Sequence, residues 1–273
     1  MANEFYLILF AGQSNMGGRG CQCEKWPELP PKLTEGAAYE YKAVTAPDRL
    51  SVLEEPFGVL ENRVDGINDV SSKGVPMKSG SLATAFCNAF FEKTQIPIVG
   101  VSAAKGGSTL KSWIPGADAG YFEDMTDRFL SAEKFLTEHD YRVKDRLILW
   151  TQGESDGDKG TDGKDYIEMF ERMWTALKEK TGITRMFLIK TGECNIEGSY
   201  DRYQKIQEAQ EEICRRNSDV IMCSRAFQGM RERGLMRDAF HYYQQGYNLC
   251  GEDAGRNAAV KMILSEKCCL VTP

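Results

Sequence analysis

Phe5-Tyr6-Leu7-Ile8-Leu9-Phe10-Ala11-Gly12-Gln13-Ser14-Asn15-Met16 is the stretch from which the rest of the chain can be read. From Phe5 to Ala11 every residue is apolar and none alternates with a polar one. That is the pattern of a strand buried on both faces, as in a parallel sheet. The run stops at a glycine, and a serine follows within two residues. A serine just after a strand ordinarily caps a helix, so Ser14 alone carries no chemistry.

Four further runs of the same kind follow, at Pro97–Ala103, Arg146–Trp150, Arg185–Lys190 and Asp219–Cys223. Between them lie segments with helical spacing. Leu82, Ala85, Phe86, Ala89 and Phe90 make one apolar face, and Phe122, Met125, Phe129, Ala132 and Leu136 make another. Tyr166, Met169, Phe170, Met173, Trp174 and Leu177 make a third, expected to open after Asp165 as its cap and to close at Gly182. A more polar helix is expected around Tyr203–Ile213, and a last one from beyond His241 to about Ser265. Strands alternating with helices predict an α/β fold, a three-layer α/β/α sandwich around a five-stranded, mostly parallel sheet. The 273 residues are read as one domain. One segment, about 17–80, is rich in proline and glycine without strong periodicity. It is read as a long irregular insertion that walls the substrate pocket, or else as a plain surface excursion.

Hydrophobic residues make up 42% of the chain, enough for a substantial core. A net charge of −6 supplies no broad basic field, so neither nucleic acid nor an anionic membrane is an expected partner. The Phe5–Ala11 run follows Glu4 with no Lys or Arg before it, unlike a signal peptide, and no stretch reaches the ~20 apolar residues of a membrane helix. The nine cysteines are odd in number and scattered. They suggest a reducing compartment, with the cytoplasm as the expected location. Cys21 and Cys23 lack the second ligand pair that structural zinc wants, and neither a metal nor an organic cofactor is expected.

Ligands of open α/β sheets bind beyond the carboxyl ends of the strands. The polar motifs fall there: Gly12-Gln13-Ser14-Asn15-Met16, Gly106-Gly107-Ser108, Gln152-Gly153-Glu154-Ser155-Asp156 and Asp238-Ala239-Phe240-His241. Each has an ordinary explanation when taken singly; Glu154 and Asp156, for instance, would pass for solvated loop acids. Histidine is the sharper clue, because the chain has only His139 and His241. His139 closes an amphipathic helix, whereas His241 follows Asp238 by three residues, a spacing that lets one loop hold a base and its orienting acid. Ser14, His241 and Asp238 are therefore the expected catalytic residues. The amide of Ser14, an amide of the Gly106–Gly107 pair and the side-chain NH2 of Gln152 are the expected oxyanion donors.

These motifs in this order, with Trp113 after the Gly-Gly-Ser and Trp150 opening the third motif, resemble the SGNH hydrolase superfamily. They resemble more closely its sialate O-acetylesterase-like group, which includes carbohydrate esterase family six and its acetylxylan esterases. The resemblance runs from Gly12 to about Gly251. It implies a flavodoxin-like strand order, a Ser14–Asp238–His241 triad, and Gly107 and Gln152 in the oxyanion hole beside the Ser14 amide. It also implies supporting roles for Gln13, Asn15 and Glu154. The function implied is serine-dependent removal of O-acetyl groups from a small-molecule or oligosaccharide ester of the acetylxylan or xylo-oligosaccharide type. The alternatives are a sialic acid O-acetylesterase, a thioesterase or lipase-like hydrolase of the same fold, and an inactive carbohydrate-binding relative.

Overall fold

The structure, a computed structural model, describes residues 3–61 and 77–271, with side chains through Ser265. Its sheet is built from β1 (Glu4–Gly12), β2 (Ala38–Lys42), β3 (Ala46–Val52), β4 (Ile98–Ser102), β5 (Arg142–Thr151), β6 (Arg185–Ile189) and β7 (Val220–Ser224). The strand order is β3-β2-β4-β1-β5-β6-β7. All pairings are parallel except β2 with β3. The five strands expected from the apolar runs take the flavodoxin-like order β4-β1-β5-β6-β7, and β1 is the middle strand of the seven.

β1 shows why such a run need not alternate. Phe5, Leu7, Leu9 and Ala11 enter one hydrophobic core and Tyr6, Ile8 and Phe10 enter the other, on the opposite side of the sheet. The first core is covered by α3 (Tyr121–Glu138), α5 (Gly163–Thr181) and α6 (Gln204–Arg216). The second is covered by α2 (Ala83–Thr94) and α7 (Gln244–Val271). Two short helical turns, α1 (Ser14–Gly17) and α4 (Glu154–Lys159), sit at the carboxyl ends of β1 and β5.

Seven strands replace the expected five, because residues 38–52 of the segment read as irregular form a hairpin on the sheet edge. Both strands hide their signal. β2 reads Ala38-Tyr39-Glu40-Tyr41-Lys42, and the acid in its middle is buried, accepting a hydrogen bond from the Gly58 amide at 3.0 Å. β3 carries Pro47, exposed, and the charged pair Asp48 and Arg49, the features by which edge strands avoid further pairing. Residues 62–76 of that segment lie outside the described residues. The cap of α5 is Asp162 rather than Asp165; its side chain accepts from the Lys164 amide at 2.9 Å, and Asp165 falls in the first turn. His139 caps the carboxyl end of α3, stacked on Phe135 with ring centroids 4.1 Å apart.

The register of β1 against β5 ends with Gly12 opposite Thr151. Gly12 has φ 131°, and a Cβ there would stand 2.0 Å from the Thr151 carbonyl oxygen, which accepts the Gln13 amide at 2.9 Å. The chain can turn into Ser14 here only without a side chain. Gly12→Ala is expected to cost about 3 kcal/mol or more, from a forced backbone shift and lost turn geometry. Urea denaturation checks this, and a loss under about 1 kcal/mol would show that the turn tolerates a side chain.

Candidate active site

Ser14 is the first residue of α1, directly after the Gly12–Gln13 turn. The amides of Met16 and Gly17 both bond to the Gln13 carbonyl at 3.0 Å, so the turn closes immediately behind the serine. The structure brings all three expected catalytic side chains together. Ser14 Oγ lies 2.9 Å from His241 Nε2, and His241 Nδ1 lies 3.0 Å from each carboxylate oxygen of Asp238. Asp238 Oδ1 also accepts the amides of Phe240 at 2.9 Å and His241 at 2.8 Å. The three-residue spacing is thus a side-chain-capped turn whose carboxylate reaches both the backbone and the imidazole. The Asn195 amide on the Ala239 carbonyl and the Arg237 amide on the His241 carbonyl fix the loop from outside.

Burial is the largest influence on His241 and lowers its pKa from the ordinary 6.5; the Asp238 carboxylate opposes this, and the nearby Arg19 and Arg237 add to it. Burial works to raise the pKa of Asp238. The Phe240 amide, the imidazole and the His241 amide outweigh it, so the net shift is downward. The site therefore holds an ionised acid beside an imidazole that is neutral at pH 7, the state in which it can take a proton from a hydroxyl.

Behind Ser14, Asn15 is fully buried. Its Nδ2 donates to Glu154 Oε1 at 2.5 Å and to the Phe240 carbonyl at 3.1 Å, and its Oδ1 accepts from Tyr247 Oη at 2.7 Å. Gln13 Oε1 accepts the amides of Gly153 at 3.1 Å and Ser155 at 3.3 Å. Glu154 is no solvated loop acid. It is 2% exposed, and burial raises its pKa against the bond from Asn15, with Asp158 and Asp156 adding to the rise.

Gly106 lies against Ser14: a Cβ on it would stand 3.8 Å from Ser14 Cβ and 3.1 Å from Arg19 Nη2. Gly107 has φ 71° and faces open space. Gln152 departs from expectation. Its side chain is fully buried, and Nε2 is directed inward, to Asp156 Oδ2 at 2.5 Å and the Ser108 carbonyl at 3.0 Å. Its Oε1 accepts from Tyr166 Oη at 3.0 Å. Asp156 and Ser108 are the nearer of its three acceptors, Gln13 Oε1 lying at 3.4 Å, so here the buried amide braces the loop that carries Gly106 and Gly107.

Sequence reading missed Tyr247, Arg19, Arg237 and the burial of Asp156. Asp156 stands in the quoted Gln152–Asp156 motif, and its two-residue distance from Glu154 was the available signal. Tyr247 lies on an ordinary helix and offered none.

A family model described as carbohydrate esterase, sialic acid-specific acetylesterase matches residues 4–259. The chain belongs to that family. It is a carboxylic ester hydrolase, a carbohydrate or sialate O-acetylesterase. No curated protein sequence compared with it matches. Among solved structures, a protein of Arabidopsis thaliana superposes with a TM-score of 0.68 at 22% identity, covering 95% of this chain and 98% of that one. NanS gives 0.62 at 14% identity, covering 96% and 98%. A carbohydrate acetylesterase from Xanthomonas citri gives 0.54 at 16% identity, covering 94% of this chain and 56% of that longer one. At these identities the likeness is one of fold, the SGNH hydrolase fold. No helix among the described residues is long and apolar enough to cross a membrane.

Because the imidazole titrates low, the acid limb of kcat/KM of this acetylesterase is expected below the ordinary histidine value of 6.5. Arg237→Gln removes a cation whose Nε lies 3.4 Å from Asp238 Oδ2, and is expected to move the limb upward. A pH–rate profile of both proteins checks the sign. A wild-type limb at or above 6.5 would contradict it.

Proposed function

We propose that this protein is a serine O-acetylesterase of carbohydrates working through an acetyl-enzyme on Ser14. The observation that carries the proposal is the continuous chain from Ser14 Oγ through His241 to Asp238, with 2.9 Å and 3.0 Å links. His241 Nε2 takes the hydroxyl proton as Ser14 Oγ attacks the acetyl carbonyl. Asp238 holds the imidazole by Nδ1 and stabilises the cation that forms. The amides of Ser14 and Gly107 receive the oxyanion; Gln152 contributes by holding the Ser108 carbonyl, and with it the position of that loop. Collapse of the tetrahedral intermediate expels the sugar hydroxyl, which takes its proton from His241. A water, deprotonated by the same imidazole, then releases acetate and restores Ser14.

The first reading of the substrate is an acetylated xylan or xylo-oligosaccharide, by resemblance to the acetylxylan esterases of the group. A second reading, an O-acetylated sialic acid, is favoured by the family description and by one observation. Arg19 stands against Gly106, and together with Arg237 it places positive charge beside the triad of a protein that is acidic overall, a suitable partner for a sugar carboxylate. The seven described cysteines, all free, support a reducing location, and we place the protein in the cytoplasm.

Ser14→Ala is expected to lower kcat by about 10⁴ to 10⁶. Gln152→Ala, which removes only a brace, is expected to cost roughly 10 to 10². Acetate release from acetylated xylo-oligosaccharides and from O-acetylated sialic acid, set beside aryl acetate, butyrate and octanoate, reads the specificity. Acetyl esters are expected to be preferred, with one sugar class turned over at least about tenfold faster than the other. Preference for the octanoate would overturn the acetylesterase reading in favour of a lipase-like one.

A further inference from the structure

Asp156 has no place in the proton relay, yet it is 1% exposed at the end of the motif that contains Gln152. One of its oxygens, Oδ2, accepts both the Leu110 amide at 2.8 Å and Gln152 Nε2 at 2.5 Å. The other, Oδ1, accepts Thr161 Oγ1 at 3.1 Å. These named partners are neutral donors. Burial raises the pKa of Asp156, while the bonds from Gln152, Leu110 and Thr161 act to lower it. Burying a carboxylate is expensive, and this one is held by three neutral donors, with no cation among the described residues bonded to it. The acid therefore calls for an explanation other than packing.

Its two Oδ2 partners supply one. The Gly106–Gly107 loop is held on its amino side by the Lys105 amide on the Gly12 carbonyl at 2.8 Å and by the buried pair of Lys105 Nζ and Asp124 Oδ2 at 2.9 Å. On its carboxyl side the Ser108 carbonyl accepts Gln152 Nε2 at 3.0 Å, and the Leu110 amide ends on Asp156. Ser108 Oγ, donating to the Lys105 carbonyl at 2.8 Å, closes the loop on itself. Asp156 is thus the common acceptor for the two groups that hold the carboxyl side of the loop, one from the loop and one from the end of β5.

We propose that Asp156 is a positioning residue for ester hydrolysis: its Oδ2 sets the distance between the Gly106–Gly107 amides and Ser14. The inference rests on the proposal above that this loop supplies an oxyanion donor. Asp156 acts when charge develops on the carbonyl oxygen and has no contact with the bound ester, so it governs kcat and leaves KM alone.

The test is steady-state hydrolysis of an aryl acetate by wild type, Asp156→Ala and Asp156→Asn, with circular dichroism and thermal melts confirming that each is folded. Asparagine keeps the geometry, since its single carbonyl oxygen can accept Leu110 and Gln152 while its NH2 faces the Thr161 hydroxyl. The expected result is a fall of about 10² in kcat for Asp156→Ala with KM within about threefold, and rescue to within about fivefold by Asp156→Asn. If the alanine protein does not fold, Asp156→Ser, whose hydroxyl is too short to hold both donors, replaces it with the same expectation. A folded alanine or serine protein with kcat within about threefold of wild type overturns the inference while leaving the esterase reading intact. So does an asparagine protein as impaired as the alanine one. A wild-type protein without turnover removes the esterase reading itself, and the inference with it.

Discussion

The buried amide of Asn15 is the junction on which the site depends. One side chain ties the Ser14 turn to Glu154 at the end of β5, to the Phe240 carbonyl beside His241, and to Tyr247 on α7. Ser14 and His241 are 227 residues apart in the chain and must meet within 2.9 Å. Neither the sheet nor the hydrophobic cores can specify that distance, because apolar packing is not directional. Hydrogen bonds from a fully buried amide can, since each donor or acceptor left unpaired there costs about 1–3 kcal/mol.

The same logic extends outward from the Ser14 turn. Gln13 reaches across to the Gly153 and Ser155 amides, Gln152 reaches back to the Ser108 carbonyl, and Thr191 and Gln210 donate to the Gln152 carbonyl. The result is a polar layer laid over the carboxyl ends of β1, β4 and β5, above two apolar cores that have none of its specificity. Its acids, Glu154 and Asp156, are held up in pKa by burial, while Asp238, half open to solvent and fed by two amides, is held down. Environment alone thus separates the acid held ionised beside His241 from those that brace the scaffold.

Much of this was legible in the sequence, for reasons that can be named. β1, β4, β5, β6 and β7 announce themselves because strands buried on both faces leave unbroken apolar runs. The grouping of Ser14, His241 and Asp238 follows because histidine is scarce and because an Asp three residues before a His can reach it through one turn. β2 and β3 were hidden by a buried Glu40 and by the Pro47-Asp48-Arg49 run of an edge strand, features that read as loop. Gln152 was recognisable as a member of the site, whereas the direction of its amide depends on Asp156, Ser108 and Tyr166, three residues that only the folded chain assembles.

The central claim is that Ser14 is a nucleophile made reactive by His241. Peptide mapping by mass spectrometry after brief exposure to a fluorophosphonate tests it most directly. The account predicts a single phosphonyl adduct on the peptide containing Ser14, formed at a rate that falls by orders of magnitude in His241→Ala. An unmodified Ser14, or one labelled equally fast without His241, would contradict it.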